Sequence, residues 1–146
     1  MPTTLAFVDS NVLLYAVSTN PSEVEKRRVA REIVAAGQFG FSTQVAQEFF
    51  VNATGKLKPP LSSGDALKFL QEILPGEIVG LDFALFQEAV RLRERFQISY
   101  WDAAIVAAAK RLGATTLYSE DLSDGQSFEG VQVVNPFRAG FTVSSK

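Results

Sequence analysis

Apolar runs too short to be helices alternate, along this chain of 146 residues, with amphipathic segments long enough to be one. Leu5-Ala6-Phe7-Val8 stops at Asp9, and Phe39 to Ser42, Ile78-Val79, Thr115 to Tyr118 and Val131 to Val134 repeat the pattern. Unbroken short runs of this kind read as strands buried on both faces. Val12 to Val17 reads as a short helix after the first strand. Ser22-x-x-Glu25 is a capping box ahead of a helix with Val29, Ile33 and Val34 on its apolar face, ending near Gly37. Thr43 caps a helix striped by Val45, Ala46, Phe49, Phe50 and Ala53. After a break from Gly55 to Pro60, Ser62 or Ser63 opens a helix through Leu74 that Pro75-Gly76 stops. Asp82 caps a helix to about Phe96, and Ser99 precedes an almost wholly apolar, hence buried, helix from Tyr100 to Leu112 closed by Gly113. Parallel strands need crossovers of this length. The alternation therefore predicts α/β architecture, with a central, mostly parallel sheet of four to five short strands and helices on both faces. One domain is expected over residues 1–146, with 136–146 as a loosely ordered tail.

Composition narrows the chemistry. The chain has no histidine and no cysteine, which excludes thiol or imidazole zinc sites, histidine-dependent triads, cysteine nucleophiles and disulfides. Its 14 basic and 16 acidic residues give a formal charge of −2, so a nucleic-acid partner would need a local basic patch. No apolar stretch has the length of a membrane span and no signal-peptide pattern opens the chain, so a soluble, cytoplasmic protein without a membrane partner is expected. The first strand-helix turn, Asp9-Ser10-Asn11, lacks the glycines of a dinucleotide cradle, and no P-loop motif occurs.

Four acids stand where the pattern makes them informative. Asp9 follows the first strand and Asp121 follows the fourth, so parallel, central strands would bring both to one sheet edge. Glu48 borders its helix's apolar stripe, with Asn52 one turn on. Asp102 lies in the first turn of the buried helix. Each has a structural alternative: turns or caps for Asp9 and Asp121, a solvated helix edge for Glu48, and a Ser99-x-x-Asp102 capping box. Meeting at one edge, such carboxylates would repel one another unless a cation neutralised them, and an all-oxygen donor set suits Mg²⁺ or Mn²⁺. That chemistry points to phosphoryl transfer or phosphodiester hydrolysis. Ser10 and Ser119 read as hydroxyls holding carboxylates or waters.

In order and spacing, the segments Asp9-Ser10-Asn11-Val12-Leu13-Leu14-Tyr15, Ser42-Thr43-Gln44-Val45-Ala46-Gln47-Glu48-Phe49, Tyr100-Trp101-Asp102-Ala103-Ala104-Ile105 and Leu117-Tyr118-Ser119-Glu120-Asp121-Leu122 resemble the PIN-domain ribonucleases. The likeness is particularly to the VapC-type toxins of toxin-antitoxin pairs. The resemblance implies a Rossmann-like fold and a Mg²⁺- or Mn²⁺-dependent endoribonuclease leaving 5′-phosphate and 3′-hydroxyl ends. It matches Asp9, Glu48, Asp102 and Asp121 to the family's acidic quartet, with Glu120 and Asp124 as alternatives for the last position. Asn11 and Ser119 match its supporting polar positions. It also implies an RNA substrate, a VapB-type antitoxin partner and a homodimer.

Lys26, Arg27, Arg28, Arg31, Lys56, Lys58 and Arg138 are candidates for phosphate contacts, although Lys26 to Arg31 also reads as a solvated helix face. Tyr15 and Trp101 are candidates for base stacking or, alternatively, for core or interface packing. Two rival readings differ in kind. A phosphatase or phosphotransferase of the haloacid dehalogenase type expects a second acid at position 11, where Asn stands. A receiver needs a phosphoacceptor Asp at the end of the third strand, where Asp82 reads as a helix cap, and a catalytically silent module has little use for acids at all four positions.

Overall fold

A computed structural model describes residues 5–74 and 78–143; Pro75-Gly76, expected to stop a helix, lies outside the described residues. The chain runs β1 (Ala6–Val8), α1 (Ser10–Val17), a 3-10 turn (Pro21–Glu23), α2 (Val24–Ala36), β2 (Phe39–Ser42), α3 (Thr43–Gly55), α4 (Ser63–Ile73) and β3 (Ile78–Val79). It continues through α5 (Phe83–Phe96), α6 (Tyr100–Leu112), β4 (Thr116–Tyr118), β5 (Ser127–Phe128) and β6 (Val131–Val134). The strands form one sheet in the order β3-β2-β1-β4-β6-β5, parallel except for β5 against β6.

That order fixes where a site can be. The chain steps outward from β1 to β2 and β3, then crosses back to lay β4 on the other side of β1. Loops leaving β1 and β4 therefore diverge and open a crevice at the C-terminal edge of the sheet. Phe7 pairs with Leu117 and Val8 with Tyr118, so Asp9 and Ser119 emerge at the same level. The Asp9 N–H donates to the Tyr118 carbonyl at 3.0 Å, extending the ladder to the crevice floor.

Two helix groups flank the sheet. In one, α1 packs on α2 and α3, and α3 on α4; in the other, α5 packs on α6, which lies against β1, β2, β3 and β6. Every residue from Ala103 to Ala109 is buried, and the alanines let α6 approach the sheet closely. At Gly40, in β2, an added Cβ would stand 2.6 Å from Leu112 Cδ2, so the strand there has no room for a side chain unless Leu112 moves. The largest fully buried side chains are Phe7, Phe41, Phe49 and Phe128.

Several local expectations change. A sixth strand, β5, forms through a hairpin turn at Glu129 (φ 52°) and Gly130 (φ 97°), both left-handed as a two-residue hairpin turn requires. A two-residue strand with a Glu-Gly turn carries little pattern to read. The Ser22-Glu25 capping box does not form: Asn20 caps the 3-10 turn by accepting from the Ser22 N–H, and α2 starts after Glu23 with no side-chain cap. Ser42, rather than Thr43, caps α3 by accepting from the Val45 N–H at 3.2 Å. Ser62, Asp82 and Ser99 cap α4, α5 and α6. Of the residues expected to hang loosely after β6, Phe137, Phe141 and Val143 pack against the core, Phe137 with its ring on Tyr15 at 4.8 Å and Phe141 with its ring on Tyr118 at 5.7 Å.

Candidate functional site

Asp9 occupies the crevice floor. It caps α1, is only 6% exposed, and accepts through Oδ1 from the Ser10 N–H at 2.7 Å and through Oδ2 from Ser119 Oγ at 2.8 Å. Burial pushes its pKa up from 3.8 to about 6, against those two hydrogen bonds, and the negative charges of Glu48 and Asp121 push the same way.

The other acids arrive from three elements. Glu48, on α3, accepts from Ser10 Oγ at 3.1 Å through Oε1 and from Gln44 Nε2 at 3.1 Å through Oε2. Asp121, exposed in the loop after β4, accepts from Asn11 Nδ2 at 3.2 Å, and its N–H donates to Ser119 Oγ at 3.1 Å. Ser10, Asn11 and Ser119 thus tie the three carboxylates together, as their positions beside them suggest. Asp102 is half-buried at the start of α6, where its N–H donates to Ser99 Oγ at 3.0 Å. Among the described residues its carboxylate makes no hydrogen bond to the other three. Only the Ser99 half of the capping box forms: among the described residues the Ser99 N–H makes no hydrogen bond to the Asp102 carboxylate, which is left available.

Two alternatives for the last position are engaged elsewhere. Glu120 accepts from Tyr15 Oη at 2.5 Å and Lys26 Nζ at 2.6 Å, while Asp124 accepts from the Asn135 N–H at 2.8 Å and faces Arg138 at 3.5 Å. Asn52 turns back along its helix, donating to the Glu48 carbonyl at 2.9 Å rather than to a carboxylate. Sequence reasoning misses Gln44. It sits one turn before Glu48, the spacing that makes side-chain neighbours on a helix, and reaches toward the Trp101 carbonyl at 3.5 Å.

No three acidic side chains among the described residues converge into a ready-made ion cage. Mg²⁺ does not require one, since it is commonly held by one or two carboxylates with waters and substrate phosphates completing the shell. A buried carboxylate facing two more, with hydroxyl and amide donors holding each in orientation, fits that mode of binding.

The basic face of α2 is largely internally satisfied. Arg27 and Arg31 donate to the Ser18 and Ala16 carbonyls at 2.9 Å each, and Arg28 pairs with Glu25 and Glu32. Tyr15 packs and hydrogen-bonds within the fold. Trp101, by contrast, is 66% exposed beside Asp102, its ring edge-on to Tyr100 at 5.0 Å.

The PIN domain family model matches residues 6–123. Among solved structures, the fold is similar to a toxin-antitoxin complex from Klebsiella pneumoniae, at 22% identity and TM-score 0.67, covering 90% of this chain and 98% of that one. It is also similar to the Mycobacterium tuberculosis VapC20, described as a sarcin-ricin loop cleaving toxin, at 17% identity, TM-score 0.59 and coverage of 80% and 89%. FitAcB from Neisseria gonorrhoeae gives 19%, 0.60, 90% and 98%. No curated protein matches the sequence.

Proposed function

Because the chain belongs to the PIN-domain family, we propose that it is a divalent-metal-dependent endoribonuclease acting as the toxin of a toxin-antitoxin pair. The observation that carries this reading is Asp9, a buried carboxylate at the β1–β4 switch point that faces Glu48 and Asp121 and is pushed up to about 6. A toxin-antitoxin complex among the similar structures supports the partner assignment, and a sarcin-ricin loop cleaving toxin among them supports the substrate class.

Asp9, Glu48 and Asp121 are the residues that would hold Mg²⁺ or Mn²⁺, with Asp102 at the rim. When bound, such an ion supplies a polarised water and charge compensation at a phosphodiester. The chain's own part is positioning. Ser119 fixes one Asp9 oxygen and the Ser10 N–H the other, Ser10 and Gln44 hold the two Glu48 oxygens, and Asn11 turns Asp121 inward. Carboxylates held this way form an acceptor-rich group of which Asp121 is the exposed member, the one a substrate phosphate would approach first. No observation favours a phosphotransferase: Asn11 stands where a second acid is needed, and it binds Asp121.

Structured RNA incubated with the purified chain tests this. Cleavage is expected with Mg²⁺ or Mn²⁺, yielding 5′-phosphate ends, and is expected to stop on chelation and in Glu48→Gln. Cleavage that persists through both would overturn the reading.

Homodimerisation belongs to the same proposal. Phe83 and Trp101 are 70% and 66% exposed and join, through Phe86 and Tyr100, into one aromatic surface beside exposed Leu81. Apolar surface gathered this way is typical of an interface. By analytical ultracentrifugation the parent is expected to sediment as a dimer and Trp101→Glu mainly as a monomer; a monomeric parent would remove the surface from the account.

A further inference from the structure

The loop carrying Asp121 is anchored from a second direction. Glu120 projects away from the crevice into a partly buried pair formed by Tyr15 of α1 and Lys26 of α2. Tyr15 Oη donates to Glu120 Oε1 at 2.5 Å, and Lys26 Nζ donates to Oε2 at 2.6 Å and to Tyr15 Oη at 3.2 Å. The ammonium also lies 4.8 Å from the Tyr15 ring centroid, and Phe137 closes the ring's other contact at 4.8 Å. Both Glu120 oxygens are therefore committed, and the side chain has no freedom left to turn toward the carboxylates. Its backbone is pinned as well, the Glu120 N–H donating to Asn11 Oδ1 at 3.3 Å while Asn11 Nδ2 holds Asp121.

We propose that Glu120 is a positioning residue: the Tyr15–Lys26 clamp on its carboxylate fixes the 119–122 loop and so sets how Asp121 is presented to a divalent ion. This rests on the metal-dependent reading above. It goes beyond that reading by placing Lys26, a candidate phosphate contact, and Tyr15, a candidate stacking residue, in the control of metal affinity instead. Groups that hold a metal ligand without touching the metal commonly change affinity by about 10- to 100-fold when lost. The clamp also joins the α1–α2 pair to the crevice, because its cation lies on α2 and its phenol on α1.

Mn²⁺ binding to the full chain, measured by calorimetry, separates this from its rivals. Lys26→Glu is expected to weaken Mn²⁺ binding about tenfold, because the introduced carboxylate would repel Glu120 and displace the loop. A purely Coulombic role predicts the opposite sign, since that variant exchanges a positive charge for a negative one near the ion. The exchange Lys26→Glu with Glu120→Lys rebuilds the pair in reverse and is expected to return affinity to within about threefold of the parent. If Glu120 were itself a metal ligand, the exchange would bind no better than the single variant. Tyr15→Phe, which removes only a hydroxyl, is the milder check: the Asn11 side-chain amide resonances should shift and Mn²⁺ affinity should fall. Parent-like affinity in Lys26→Glu, or no recovery in the exchange, overturns the clamp while parent Mn²⁺ binding and RNA cleavage keep the functional reading intact. A parent that neither binds Mn²⁺ nor cleaves RNA ends both.

Discussion

Asp9→Asn is expected to give a protein more stable than its parent and inert toward RNA. In the folded chain the Asp9 carboxyl titrates near 6 rather than 3.8, mainly because it is buried, with Glu48 and Asp121 adding repulsion and the Ser119 and Ser10 hydrogen bonds opposing the shift. Between those values the folded protein keeps a proton that the unfolded chain has released. Stability contributed by this group therefore falls as pH rises through the window and stays low above it. The shift corresponds to about 3 kcal/mol at about 1.4 kcal/mol per unit. Asparagine removes the charge and preserves the cap on α1, but both lone pairs of Ser119 Oγ already accept from the Asp121 and Leu122 N–H groups, so the new amide forfeits the Ser119 hydrogen bond at a loss of about 1 kcal/mol. Metal-free Asp9→Asn at pH 8 should accordingly exceed the parent by about 2 kcal/mol in denaturant unfolding, with the gap closing toward pH 4. Cleavage should fall by about three orders of magnitude with the loss of charge at the reacting centre. An Asp9→Asn protein less stable than its parent at pH 8 would show that the carboxylate is not under electrostatic load.

Ser119→Ala should act with the opposite sign. Ser119 is fully buried; its Oγ donates to Asp9 at 2.8 Å and accepts from the N–H groups of Asp121 at 3.1 Å and Leu122 at 3.4 Å. Alanine leaves a buried carboxylate oxygen and two amides short of a partner, which destabilises by about 2 to 3 kcal/mol. It also removes the largest influence lowering the Asp9 pKa, so the acidic limb of the cleavage pH profile should move to higher pH. In an Asp9→Asn background the same substitution should cost at least about 1 kcal/mol less, because the charge it stabilises is gone. Additive costs together with an unmoved limb would separate Ser119 from Asp9.

The parts of this arrangement visible in the sequence are those that depend on local pattern. Runs such as Ala6-Phe7-Val8 that end at an acid announce a buried strand and its exit, and the alanine-rich α6 announces its own burial. Asp9 and Asp121 come together because parallel strands place their C-terminal ends on one edge, a consequence of topology rather than of neighbouring residues. What stays hidden depends on contacts across the fold. Nothing near Glu120 in the chain indicates that Tyr15 and Lys26 will take both its oxygens, which turns a candidate ligand into an anchor. Asn52 shares a helix side with Glu48, yet its amide donates back to the Glu48 carbonyl instead of reaching a carboxylate. For Trp101 the sequence leaves base stacking, core and interface open; its outward position on α6 leaves it 66% exposed and removes only the core reading. Hairpin strand β5 is too short for periodicity to register, and Asn20 takes the capping role from Ser22 because the chain enters α2 through a 3-10 turn.

Anomalous diffraction from crystals of the chain soaked in Mn²⁺ bears most directly on the central claim. A peak is expected at the β1–β4 crevice, about 2.0 to 2.6 Å from an Asp9 carboxylate oxygen, with Glu48 or Asp121 also in the coordination shell directly or through water. Saturating Mn²⁺ that gives no peak there, or a peak only at some other surface, would contradict it.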